Sequence, residues 1–199
     1  MTPFIAKLVW WTGIIGWYAI RYPHQRRSRR TPIAKTSIVS RRQRARDGVL
    51  LALSFTGLFI LPVIYVTTGE PRIADYPFRP ALAWLGTAVF VLALFGFYRT
   101  HRDLGRCWSV TLEIRETHQL ITTGVYRHVR HPMYAAFFLW AIAQALLLPN
   151  WIAGPAGLLG FGTLFGLRLR HEERMMEATF GDSYRTYAAR TWRVVPGVF

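Results

Sequence analysis

Two long stretches of this chain, residues 49–66 and 80–98, contain no charged residue. An α-helix rises about 1.5 Å per residue, so each stretch is long enough to cross a hydrocarbon core of roughly 30 Å. Backbone polar groups cannot stay unpaired in lipid, so a single stretch of this kind crosses as a helix. The sequence therefore predicts an all-α integral membrane protein.

A third uncharged run, residues 133–167, is interrupted by Pro149 and Asn150. Proline removes a backbone donor and breaks a helix, so this run is predicted to form a short hairpin of two spans, 133–148 and 151–167.

The first apolar segment, residues 8–20, is rich in aromatic side chains and is followed at once by the basic stretch Arg21–Arg30. A signal peptide has its charges before the apolar core rather than after it, so an uncleaved span is favoured. The sequence thus predicts about five transmembrane helices.

The distribution of charge predicts the orientation. The chain has 25 Lys and Arg against 10 Asp and Glu, and 22 of the 25 basic residues lie in the segments 21–48, 99–132 and 168–199. In the five-span arrangement these segments share one side of the membrane, which the positive-inside rule makes cytoplasmic. We expect a multi-pass protein with its N-terminus outside, its C-terminus cytoplasmic and its basic face on anionic lipid. No nucleic-acid partner is expected, because no aromatic stacking residues alternate with the arginines of Arg26–Arg46.

The chain divides by composition into two regions. Residues 1–98 form an N-terminal three-span membrane region with the basic cytoplasmic loop 21–48, and residues 99–199 carry the polar chemistry around the hairpin. The single cysteine excludes an internal disulfide and a cysteine-based zinc site. His128 and His131 have a ligand-like spacing, but Pro132 interrupts any shared helix, so no metal site is expected.

Two polar clusters are candidates for a site. His131 precedes Pro132, which favours a helix start there, and helix starts can hold carboxylates. Arg168 and Glu172 share a helix face if the last span continues past Leu167, and three of the ten acids, Glu172, Glu173 and Glu177, gather there. The clustered acids suggest a cationic ligand. Interfacial anchoring and a surface salt bridge are the plainer alternatives.

An ordered set of motifs spans residues 99–199: His118-x-Leu120, Gly124-Val125-Tyr126, Arg130-His131-Pro132-x-Tyr134, Glu172-Glu173, Phe180-Gly181-x-x-Tyr184-x-x-Tyr187 and Arg193-x-x-Pro196. As a set these motifs resemble the isoprenylcysteine carboxyl methyltransferase family and the related membrane phospholipid methyltransferases.

The resemblance implies a cytoplasmic S-adenosylmethionine site formed by the loop after the third span and the C-terminal tail. The cofactor-binding positions that it implies are Thr111, His118, Gln119, Leu120, Ile121, Tyr126, His131, Pro132, Met133, Tyr134 and Glu172. At Thr111 this chain departs from the family, which carries Gln there. The resemblance also implies that Arg168 faces the substrate carboxylate, as the catalytic and substrate-binding residue.

The expected function is therefore methylation of the carboxylate of an isoprenylcysteine-like or other lipidic or prenylated acceptor. A carboxylate needs no deprotonation before it attacks, whereas an amine would need a base such as Glu173 or a histidine. The alternatives are a phospholipid amine N-methyltransferase, a sterol-reductase-like enzyme that uses NADPH, and a structural membrane protein without a site.

Overall fold

The computed structural model describes residues 1–28, 41–105 and 120–198, and every regular element in these ranges is helical. The all-α prediction is confirmed for them. The helices are α1 (Pro3–Ser28), α2 (Arg41–Phe55), a π-helical turn (Thr56–Ile60), α3 (Leu61–Thr68), α4 (Pro80–Leu104), α5 (Pro132–Leu147), α6 (Ala156–Phe180) and α7 (Asp182–Ala188), with 3-10 turns at Arg72–Ala74 and Gly124–Arg127.

Within the described ranges the helices make five passes between two ends of a bundle, because α2, the π turn and α3 follow one another without a break. At one end, Lys7 Nζ donates to the carbonyl of Tyr65 at 3.4 Å, which joins the start of α1 to the end of α3. The turn between α5 and α6 lies at this same end, where Asp75 bridges Asn150. We call it the Asn150 end, and the opposite one the His131 end.

The break at Pro149 and Asn150 is confirmed, but α6 begins at Ala156 rather than at the predicted residue 151. The reason is the Asn150 side chain, whose Oδ1 accepts from the N–H groups of Ile152 and Ala153 at 3.0 and 2.8 Å. Its Nδ2 donates to the Asp75 carboxylate at 2.8 Å. Residues 151–155 are therefore held in a turn instead of joining the helix.

The helices at the His131 end are longer than the apolar runs that predicted them. The flanks of the predicted loop 21–48 are helical where described, and α4 continues to Leu104. Arginine side chains can extend from a helix to the membrane surface, so charge does not stop a helix there. What ends α4 is Gly105, with a φ of +54° that favours glycine.

A buried aromatic cluster fills the middle of the bundle around Trp140 of α5. Its ring centroid lies 5.7 Å from that of Trp17, 5.3 Å from Phe59 and 5.0 Å from Phe90. These three partners come from three different passes, so one fully buried side chain ties four passes together.

Two helical stretches among the described residues, Ala45–Thr68 and Pro80–Leu104, are long and apolar enough to cross a membrane, and α5 is a shorter apolar helix. In an apolar 18-residue part of each stretch, only 39% and 28% is buried inside the protein, whereas the core helix of a soluble protein would be mostly buried. Two candidate spans are thus observed, and the count of five stays a prediction.

Candidate active site

Helix α5 begins at the His131 end of the bundle. As predicted, Pro132 is the first residue of α5, and His131 precedes it in a non-helical conformation. The N–H groups of Tyr134 and Ala135 donate to the His131 carbonyl at 3.1 and 3.2 Å, and Pro132 has no N–H. Of the first α5 residues, only Met133 could offer a backbone donor to an anion, so this start is a poorer carboxylate site than the sequence predicted.

Tyr134 links the helix start to α6. Its hydroxyl donates to Glu172 Oε2 at 2.6 Å, and its ring stacks on His131 with centroids 5.5 Å apart. Arg168 is buried one turn before Glu172 on the same helix. Helix α6 continues to Phe180, as the spacing of Arg168 and Glu172 requires. The structure therefore gathers four of the residues singled out in the sequence.

Glu173 has partners of its own. Its Oε1 accepts from Arg130 Nη2 at 3.0 Å, its Oε2 accepts from Arg193 Nε at 3.2 Å, and His131 Nε2 lies 3.5 Å from Oε1. Partial burial would raise the pKa of Glu173, but the nearby His131 and the hydrogen bonds from Arg130 and Arg193 outweigh it and lower the pKa to about 2. Glu173 is therefore ionised at neutral pH, as a member of an ion cluster with Arg130 and Arg193.

This pairing revises the interpretation of the acidic cluster. Glu177 accepts from Arg185 Nε at 2.7 Å in an exposed pair, and Glu173 is held by two arginines. Two of the three clustered acids are thus matched by arginines of the chain itself. The sequence suggested a cationic ligand from three clustered acids. In the structure only Glu172 still supports that suggestion.

The C-terminal tail packs against the residues that lead into α5. The backbone N–H groups of Arg130 and His131 donate to the carbonyls of Trp192 and Arg193 at 2.7 and 2.8 Å. In return, the backbone N–H of Trp192 donates to the His128 carbonyl at 3.1 Å. Arg130 Nη1 also donates to the carbonyls of Ala188 and Thr191. The tail, α6 and the start of α5 therefore meet at one place.

Tyr126 lies in the 3-10 turn Gly124–Arg127 and is buried. Its carbonyl accepts a hydrogen bond from the Tyr187 hydroxyl of α7 at 2.7 Å. Leu120 and Ile121 precede this turn and are half-buried, like Met133. Thr111, His118 and Gln119 lie outside the described residues.

The model of the isoprenylcysteine carboxyl methyltransferase family matches residues 84–178. Protein-S-isoprenylcysteine O-methyltransferase B of Arabidopsis thaliana is 35% identical over 134 residues, which cover 63% of this chain and 68% of that protein. The chain belongs to the isoprenylcysteine carboxyl methyltransferase family.

Other relatives match over a shorter part. The protein-S-isoprenylcysteine O-methyltransferases of Dictyostelium discoideum and Schizosaccharomyces pombe are 34% and 37% identical, over 43% and 40% of this chain. The matches span about a third of the length of those two relatives, 36% and 34%. A solved eukaryotic intramembrane Ras methyltransferase of the family superposes with a TM-score of 0.50 at 23% identity, covering 81% of this chain and 55% of that one. This likeness supports the fold.

The range matched by the family model contains His131, Tyr134, Arg168 and Glu172 and ends before the tail. In this member of the isoprenylcysteine carboxyl methyltransferase family, the tail is joined to the matched range through Glu173 and Arg193. The sequence did not predict this ion cluster. Arg130 and Arg193 stand 43 and 20 residues from Glu173 in the chain, and no sequence periodicity connects the three residues.

Proposed function

We propose that this chain is an S-adenosylmethionine-dependent integral membrane methyltransferase whose acceptor is the carboxylate of an isoprenylcysteine-like or other lipidic molecule. One observation carries the proposal: in a member of this family, His131, Tyr134, Arg168 and Glu172 meet at one end of the bundle. Folding has brought together residues from α5 and α6 that no local structural requirement unites.

The residues present fit the cofactor by their chemistry. S-adenosylmethionine carries a sulfonium and an ammonium, and Glu172 offers a half-buried carboxylate that Tyr134 orients. When bound, the cofactor supplies an electrophilic methyl group. The residues assigned to hold it are Leu120, Ile121, Tyr126, His131, Pro132, Met133, Tyr134 and Glu172, with Thr111, His118 and Gln119 assigned from sequence.

Arg168 is assigned to the acceptor. A guanidinium presents a fork of donors that matches a carboxylate, and burial lets it act with little competition from water. Methyl transfer to a carboxylate is an in-line displacement that needs alignment and partial desolvation of the nucleophile. Arg168 would hold the acceptor in position while Glu172 holds the cofactor.

The state of Glu173 favours a carboxylate over an amine as the acceptor. An ammonium must lose a proton before nitrogen can attack, so an amine methyltransferase needs a base near the site. Glu173, the acid next to Glu172 on α6, is a poor proton acceptor, because its pKa is about 2 and two arginines bind it.

The five helical passes support an arrangement in which the acceptor comes from the bilayer and the cofactor from the cytoplasm. The site lies at the His131 end, where the described flanks of the basic segments 21–48 and 99–132 and the basic segment after Leu167 lie. We assign this end to the cytoplasmic side, with the N-terminus outside.

Binding of S-adenosylhomocysteine tests the proposal first. The purified protein in detergent is titrated by calorimetry, and saturable binding is expected. Radiolabelled S-adenosylmethionine is then offered with a farnesylated cysteine acid or with phosphatidylethanolamine, and base-labile label in the prenylated acid is expected. Label in the phospholipid instead would assign amine methylation. Binding of NADPH without S-adenosylhomocysteine would overturn the methyltransferase assignment.

A further inference from the structure

The end of α4 is bonded to the turn that carries Tyr126. The Asp103 side chain, in the last turn of α4, accepts the backbone N–H of Val125 on Oδ2 at 2.8 Å. The two residues stand 22 positions apart in the chain. The bond therefore joins the helix before residues 106–119 to the turn after them, the stretch that contains Thr111, His118 and Gln119.

The turn at Gly124–Arg127 depends on this outside acceptor. A helical turn leaves its first N–H groups without internal partners, and a side-chain oxygen of the preceding residue often accepts one of them. Thr123 occupies that capping position, but its hydroxyl makes no capping hydrogen bond. The Asp103 carboxylate accepts from this turn in its place.

The contact is also sterically close. Gly124 has a φ of +63°, a conformation that favours glycine, and a Cβ added there would overlap the Asp103 carboxylate. The turn and the end of α4 thus approach at the distance that a bare backbone allows. A hydrogen bond across such a close contact restrains the turn against the end of α4.

Tyr126 is consequently held on two sides. Asp103 bonds the N–H of the residue before it, and the Tyr187 hydroxyl bonds its own carbonyl at 2.7 Å. These bonds come from α4 and α7, which lie on either side of the turn in the chain. The Tyr126 N–H donates to the Thr123 carbonyl within the turn at 3.2 Å, while the peptide groups before and after it are held by α4 and α7.

We infer that Asp103 is a positioning residue for the cofactor site, acting through the turn that presents Tyr126. The inference rests on the proposed function, because the contact between Tyr126 and S-adenosylmethionine is part of that proposal. Asp103 acts through its hydrogen bond and not through its charge, so a side chain that keeps the oxygen acceptor should keep the effect.

The test compares Asp103→Ala and Asp103→Asn with the wild-type protein in detergent. Loss of a bond that leaves a half-buried N–H unpaired is expected to raise the Kd for S-adenosylhomocysteine about tenfold in Asp103→Ala. Asp103→Asn, which can still accept through its amide oxygen, is expected to bind like the wild type. At saturating S-adenosylmethionine the kcat of Asp103→Ala should change less than its cofactor KM.

Asp75→Ala is the matched control for general destabilisation. Asp75 accepts a hydrogen bond of the same length, 2.8 Å, from Asn150, at the opposite end of the bundle. Its loss should lower the thermal stability without changing the Kd for S-adenosylhomocysteine. Where Asp103→Ala fails to fold, Asp103→Glu replaces it, because the added methylene displaces the acceptor oxygen and should also weaken binding.

Two outcomes overturn the inference while the proposed function stands: cofactor affinity in Asp103→Ala equal to that of the wild type, or equal loss in Asp103→Ala and Asp103→Asn, which would assign the effect to charge. Absence of S-adenosylhomocysteine binding in the wild-type protein would instead contradict the proposed function itself.

Discussion

Glu172 and Glu173 are neighbours in the sequence with different surroundings. Successive residues of an α-helix point about 100° apart, so the two carboxylates leave α6 in different directions. Glu172 meets the Tyr134 hydroxyl of α5, while Glu173 meets arginines at the entrance of α5 and in the tail. The first is therefore available to a ligand from one side, and the second is taken up by the protein.

The first prediction concerns Glu172. In Glu172→Gln the neutral amide replaces the carboxylate that we assign to the positive charge of the cofactor. The affinity for S-adenosylmethionine should fall by about 1.5–3 kcal/mol, the range for a hydrogen bond to a charged group. Calorimetric titration measures it. Glu177→Gln, in an exposed pair on the same helix, is the control that should bind normally. Equal affinities in both variants would return Glu172 to a structural role.

The second prediction concerns Arg168. Arg168→Ala should leave cofactor affinity nearly unchanged and strongly reduce methylation of a farnesylated cysteine acid. Arg168→Lys should recover only part of the activity, because an ammonium lacks the fork of donors. Arg170→Ala, an exposed arginine two residues later on α6, provides the control. Full turnover by Arg168→Ala would refute the acceptor assignment.

The third prediction concerns the pH dependence given by Glu173. Because its folded pKa is lowered to about 2 from an ordinary 4.5, its stabilising effect is complete above pH 4.5 and is lost as the pH falls towards 2. At pH 7 Glu173→Gln should lower the unfolding free energy by roughly 3 kcal/mol, the lower end for a broken buried ion pair. Thermal unfolding in detergent should show a smaller difference at pH 3 than at pH 7. A difference that grows with acidity would disprove this assignment.

At the scale of elements, α6 packs against α2 and the π-helical turn that follows α2, and the contact is made by small residues. A Cβ at Gly57, in the π-helical turn, would overlap the carbonyl of Ala156, and one at Gly160 would lie 2.7 Å from the carbonyl of Leu53. Small residues let helix backbones approach closely in membranes, where helices gain little from the hydrophobic effect. This contact brings the Asn150 end of α6 against the second pass.

The fourth prediction follows from that packing. Gly57→Ala should lower the unfolding free energy by about 1–3 kcal/mol, the cost of placing a methyl group in filled space. Gly162→Ala on α6 is the matched control, because an added Cβ there meets no atom within 4 Å, and it should be neutral or slightly stabilising. Chemical unfolding in mixed micelles compares the two, and equal stabilities would contradict the close contact.

At the scale of the whole molecule, the two ends of the bundle have different compositions. The Asn150 end carries only the basic residues Lys7, Arg72 and Arg79 among the described residues and is held largely by amides, carbonyls and the Asp75 carboxylate. The His131 end carries the ion cluster of Glu173, Arg130 and Arg193 and the candidate site. The positive-inside rule then places the two ends on opposite sides of the membrane.

The fifth prediction is this topology. With the native Cys107 replaced by serine, single cysteines at Ile73 and at Ser183 should react with a membrane-impermeant reagent from opposite sides, Ser183 from the cytoplasm. Ile73 is 96% exposed and Ser183 is exposed, so the protein does not shield either label. Labelling of both positions from one side would exclude the five-span arrangement.

Much of the fold could be predicted from local signals. Apolar runs of membrane length indicated the helices, and Pro132 and Pro149 indicated where α5 begins and ends. The predicted start of α6 was wrong, because the Asn150 side chain holds residues 151–155 in a turn by accepting from N–H groups two and three positions later, and Asp75, 75 residues earlier, holds that side chain. The resemblance to the family predicted that His131, Tyr134, Arg168 and Glu172 lie at one site. Helical spacing alone predicted only that Arg168 and Glu172 share a face of α6.

The sequence by itself determined the helical class, the segregation of basic charge and the helical phase of Arg168 and Glu172, because each depends on residues near one another in the chain. The tertiary structure decided the rest: which carboxylate of α6 faces Tyr134, which is neutralised by Arg130 and Arg193, and which side chain caps the Tyr126 turn. These choices depend on how α4, α5, α6 and the tail meet, and hydrogen bonds between distant residues leave no local pattern in the sequence.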